Sequence, residues 1–143
     1  MHKLGERLPV FLAALWWGGL TLLGAMVVPM LFRHLATPAM AGNMAAKLFT
    51  AQTWVGTVCG VVLLLLGTRA SALHSSPPRA ATVWVLGGVL LALLIEYAVA
   101  PHIVARDNLA LWHGLAMIFY VLQWICATVT LWHLSVVRSA SAS

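Results

Sequence analysis

Negative charge is nearly missing from this chain. Glu6, Glu96 and Asp107 are its three carboxylate side chains in 143 residues, which leaves little material for a paired-carboxylate mechanism. Charged residues of both signs make up 8% of the sequence. A soluble domain carries roughly 25%, so a water-facing surface cannot be built and the composition indicates a membrane protein. Cysteine is scarce too. Cys59 and Cys126 both lie in apolar runs without CxxC or Cys/His spacing, which argues against a disulfide framework and reads as small packing residues. There is no Walker A sequence, no GxGxxG, no GxSxG and no HExxH; these gaps favour a non-enzymatic role without deciding it. The formal charge of +5 comes from singly scattered Lys and Arg. No basic run is interleaved with aromatics, so nucleic acid is not an expected partner and the charges read as topology and lipid-headgroup contacts.

What the sequence has in quantity is apolar length. Residues 8–32 contain no charged side chain. A helix of that length measures roughly 37 Å, enough to cross a hydrocarbon core of about 30 Å with some tilt. The run is also too long for a signal-peptide core, despite the small residues Ala39-Met40-Ala41, so a retained first span is expected. Three more spans are expected at about 48–67, 80–100 and 109–137. The connections are a modestly polar stretch containing Thr37-Pro38, a turn around Ser75-Ser76-Pro77-Pro78, and a polar turn from Pro101 to Asn108. Four spans with short connections predict an all-α, up-down-up-down membrane bundle forming a single domain. Lys3, Arg7, Arg69, Arg79 and Arg138 fall on one side, and Arg33, Lys47 and Arg106 on the other. That asymmetry favours both termini in the cytoplasm.

Several features point to helix packing. Gly18 and Gly19 form a small patch on the first span, and Pro29 is expected to kink its last turn. Gly56 and Gly60 form a GxxxG pattern in the second span, with Gln52 on the same face. The pattern reads as a helix-contact face, within the chain or between chains. Trp16, Trp17, Trp54 and Trp124 lie deep and read as packing residues, while Trp84, Trp112 and Trp132 suit the aromatic belt.

Glu96 is the most informative residue for chemistry. A carboxylate in a span costs about 2.5–3.5 kcal/mol at mid-membrane and less near the interface, and it usually finds a partner. His113, one turn into the fourth span, falls at similar depth and is the expected neighbour. Arg33, His34, His102, Arg106 and Asp107 lie near the same boundary, giving an expected polar cluster at one end of the bundle. A carboxylate beside an imidazole can relay protons, bind a cation or lock two helices. His113, His34 and His102 are also the candidates for a metal or for a haem axial ligand, although no HxH, HxxxH or HExxH spacing is present.

Some residues carry a family resemblance. Trp17-Gly18-Gly19 with Pro29 and Phe32, the lead Ala41-Gly42-Asn43 through Lys47-Leu48-Phe49, and His113-Gly114 resemble the TMEM205-like family, also called the DUF4149 domain. Thr50-Ala51 stands where eukaryotic relatives tend to read Pro-Val. The resemblance implies a small four-helix integral membrane protein of no established activity. The Trp-x-Gly-Gly opening is also similar to CopD-like copper-resistance proteins and HemJ-like protoporphyrinogen oxidases, which implies haem or copper by analogy of fold. The expected protein sits in a bacterial cytoplasmic membrane and serves transport, ion handling or membrane assembly, with its polar focus near Glu96 and His113. A haem- or copper-binding redox protein and a structural subunit packing through Gly56/Gly60 are the alternatives. The lipid bilayer is the expected partner, with a homo-oligomer or another membrane protein beside it.

Overall fold

The computed structural model describes residues 2–72 and 79–140, with side chains placed for 7–68 and 81–136. The Ser75-Ser76-Pro77-Pro78 turn lies outside the described residues, as do the side chains of Lys3, Arg69, Arg79 and Arg138. Among the described residues there is no strand. The first span is built of α1 (His2–Leu22), a π-turn (Leu23–Val27) and α2 (Val28–His34); the second is α3 (Pro38–Ala72). The third is α4 (Arg79–Leu94), a π-turn (Ile95–Val99) and α5 (Ala100–Val104), and the fourth is α6 (Leu109–Ala140). Four stretches are long and apolar enough to cross a bilayer: Arg7–His34, Pro38–Thr68, Ala81–Val104 and Leu109–Val136. We refer to these as spans 1 to 4.

Two boundaries differ from the sequence reading. Span 2 starts at Pro38 rather than near Leu48. The Thr37 hydroxyl accepts the Met40 backbone N–H at 3.2 Å, and Pro38 fills the first helical position, where its missing N–H goes unmissed. Thr37-Pro38 is thus a helix start as well as a break. Span 3 runs through Pro101 to Val104 instead of ending at Ala100. In both spans 1 and 3 the backbone widens into a π-turn just before a proline. Val28 N–H reaches Leu23 O ahead of Pro29, and Ala100 N–H reaches Ile95 O ahead of Pro101. A proline inside a helix lacks one donor and crowds the preceding turn. The kink expected at Pro29 takes the form of this wider turn.

Each span packs against two neighbours, so the order around the bundle is 1-2-3-4 with span 4 returning to span 1. The helices come together on small residues, because lipid tails supply no hydrophobic drive between spans. Trp16 occupies the centre with no solvent or lipid exposure. A methyl placed on Gly56 of span 2 would lie 2.7 Å from Trp16 Nε1, and one on Gly88 of span 3 would lie 2.7 Å from its Cζ2 and 3.1 Å from Cys126 Cβ of span 4. Only glycine leaves room for the indole at these two places. Gly60, in turn, faces Val89. The GxxxG face is therefore spent on contacts inside this chain. Gly19 receives the Gln52 side chain, whereas Gly18 meets nothing within 4 Å. Trp54, read from sequence as a packing residue, is 54% exposed on the outer face.

Beside Trp16 pack Leu20, Cys59 and Ala127, with Trp17, Tyr120 and Trp124 around them. Toward the chain termini a second, drier cluster joins Ala13, Leu63 and Val85. Overpacking a tight core costs about 1–3 kcal/mol. Gly88→Ala is accordingly expected to lower the melting temperature in detergent by several degrees. Gly18→Ala, with open space around it, is expected to leave that temperature unchanged or slightly raised, as scored by scanning fluorimetry of the two variants side by side.

Candidate functional site

Glu96 is held inside the π-turn of span 3 and is partly buried. Its partner is Thr50 of span 2: the Thr50 hydroxyl lies 2.9 Å from Oε1 and 3.1 Å from Oε2. One hydroxyl carries one proton, so it donates to one carboxylate oxygen at a time. Among the described residues no Lys, Arg or His nitrogen forms an ion pair with Glu96; the pair found is His102 with Asp107. The carboxylate thus has one neutral donor, no counter-charge, and acceptor capacity to spare.

The expected neighbour, His113, is engaged elsewhere. Its Nδ1 donates to Leu109 O at 2.9 Å, and the residue is exposed. His34 does the same with Met30 O at 3.0 Å. His102 stacks flat on Trp112, with centroids 4.0 Å apart and planes 4° apart, and lies 3.5 Å from Asp107. That contact depends on a tight turn. Arg106 has φ 60°, and Arg106 N–H and Asp107 N–H bond back to Ile103 O and His102 O. Arg33 and Arg106 are exposed. The seven polar residues therefore share one end of the bundle as separate local contacts, and Glu96–Thr50 is the one that joins two spans. Among the described residues no group of three or more His, Cys, Asp or Glu is placed to hold a metal ion.

Polar side chains continue inward from Glu96. Thr50 opens a series on span 2 that includes Gln52, Thr53 and Thr57. Tyr120 of span 4 donates to Leu20 O at 2.6 Å, one turn before the π-turn of span 1. Trp124 Nε1 donates to Thr21 Oγ1 at 2.9 Å, and Thr21 in turn donates to Trp17 O at 2.8 Å. Gln123 is 3% exposed and lies near Gly56 and Trp16. Trp16 Nε1, Trp17 Nε1, Gln52 Nε2 and Thr57 Oγ1 are buried and find no partner in the chain. The series gives way at the Ala13, Leu63 and Val85 cluster. One half of the bundle axis is polar and the other is dry. Thr50 was missed by reading the sequence, because threonine within an apolar helix is an ordinary residue there. The available signal was Pro101, five residues beyond Glu96.

These features define the class: an integral membrane protein built as an all-helical four-span bundle. The chain belongs to the family described as Domain of unknown function (DUF4149), whose model matches residues 11–110, covering spans 1 to 3 and the first residues of span 4. His113-Gly114 falls beyond that match. No curated protein and no solved structure matches the chain at a significant level.

A hydrogen bond to a charged group contributes about 1.5–3 kcal/mol. Thr50→Val keeps the shape and removes the donor, so it is expected to cut thermal stability in detergent by about 1–3 kcal/mol. Thr50→Ser is expected to retain most of it. Equal melting curves for the two variants would show that the Thr50 hydroxyl does not support Glu96.

Proposed function

We propose that this protein handles a small cation, the proton above all, at Glu96 within the membrane. The observation that carries the reading is a carboxylate in a membrane span whose single partner is a neutral hydroxyl. An ionised carboxylate without a counter-charge in such surroundings is costly. Binding a proton or a metal cation from the adjacent interface removes that cost, and releasing it restores it. Intramembrane carboxylates with this property are the usual stations of proton relays.

The polar residues inward of Glu96 support a route that begins at this end and reaches the bundle centre. Thr50 holds the carboxylate in place, and Gln52, Thr57, Gln123 and the Trp16 and Trp17 N–H groups offer polar stations along the axis. The dry cluster at the other end closes the route in this conformation, as a membrane protein that must not leak protons requires. The same charge asymmetry that places the basic ends on one side supports both termini in the cytoplasm of a bacterial cell, with Glu96 facing the opposite side.

The test is proton flux into proteoliposomes with an internal pH dye, under an imposed potassium diffusion potential. The wild-type protein is expected to admit protons faster than empty vesicles, and Glu96→Gln to fall at least tenfold toward the empty-vesicle rate. Indistinguishable wild-type and Glu96→Gln rates, with both proteins inserted in equal amount, would overturn the reading.

A further inference from the structure

At the bundle end opposite Glu96 an apolar cleft of about 120 Å³ opens between all four spans. Its wall includes Pro9 of span 1, Leu63 of span 2, Ala81 and Val85 of span 3, and Thr130 and Leu134 of span 4. Thr130 offers this wall no free donor, because its hydroxyl bonds back to Cys126 O at 2.8 Å. The cleft accepts a short stretch of hydrocarbon chain and has nothing to hold a headgroup.

The charges lie just beyond it. Every span carries one arginine immediately outside its lining segment: Arg7 two residues before Pro9, Arg69 two after Gly67, Arg79 two before Ala81, and Arg138 four after Leu134. Two residues of helix rise about 3 Å, the step from the top of an acyl chain to its phosphate region. Glu6 is the single acidic residue of this end. A rule that only sets orientation asks for positive charge somewhere on one side. Here the charge comes once per span, always next to the same cleft and always as arginine, the side chain whose planar fork matches phosphate oxygens.

We propose that this cleft is a lipid site for one acyl chain of an anionic glycerophospholipid, with its phosphate drawn to the arginines at the four span ends. The occupant is an anionic lipid because the site pairs a dry slot with a cationic rim, and phosphatidylglycerol has both complementary parts in one molecule. The site stands apart from Glu96 and does not depend on the cation reading.

The experiment is native mass spectrometry of the full chain released from nanodiscs containing equal amounts of dioleoylphosphatidylglycerol and dioleoylphosphatidylcholine. One phosphatidylglycerol per chain is expected to be retained, at least tenfold over phosphatidylcholine. An arginine near an anionic lipid surface changes affinity by about fivefold, so Arg7→Gln with Arg79→Gln is expected to erase most of that preference without disturbing the core. Thr82→Phe, at the partly buried edge of the cleft, is expected to reduce retention of phosphatidylglycerol while leaving the melting temperature in place. Equal retention of the two lipids by the wild-type chain would overturn the proposal, as would undiminished phosphatidylglycerol in the double arginine variant. Full retention by a folded Thr82→Phe protein would assign the bound lipid to the outer surface and overturn the cleft as its seat.

Discussion

The arrangement rests on the seating of one indole. Trp16 fills the line where the four spans converge, and it fits because two of them present bare backbone to it, at Gly56 and Gly88. In water, apolar burial would draw the helices together whatever the residues at their contacts. In lipid that force is missing, and close packing of small and large partners takes its place. Trp16 touches spans 2 and 3, and its neighbour Cys126 brings in span 4. The four-way contact fixes the distance between diagonal helices and the rotation of each about its own axis. The position of Thr50 relative to Glu96 follows from it, since both ride on helices that Trp16 spaces.

The second constraint is that polar groups in the bilayer must be answered from within the protein. The bundle meets it unevenly. Near one end hydroxyls, amides and indoles bond across spans or wait without a partner along the axis; near the other the walls are aliphatic. Such a division keeps ions from crossing while leaving one carboxylate in contact with the polar half. The arginine-rimmed cleft occupies the dry half, so the two candidate sites sit at opposite ends and use opposite chemistry.

Much of this architecture was readable in the sequence. Runs without charge gave four spans, and short connections gave their alternating direction. The Gly56/Gly60 pattern marked a contact face; its facing residues, Trp16 and Val89, lie on other spans and leave no trace in local spacing. Glu96 stood out because it is a carboxylate in an apolar run. Its partner did not, for the same reason in reverse: a threonine is unremarkable there, and the link from residue 50 to residue 96 is a product of tertiary packing. Depth alone suggested His113. Depth is set by counting residues, whereas direction around the helix is set by the turn on which a side chain sits. The π-turn at Ile95–Val99 breaks the regular rotation on which such counting relies.

That widened turn has a further consequence. One additional residue in a helical circuit rotates everything after it by about 100° relative to an uninterrupted helix. Spans 1 and 3 each contain one, so each behaves as two short rods, one docked on the bundle and the other free to choose a different heading. Loss of a single residue from either circuit would heal the backbone hydrogen bonding, yet it would spin the outer segment away from its contacts. The length of these two spans is thus fixed to the residue by geometry, in a protein whose sequence of leucines, valines and alanines otherwise looks permissive.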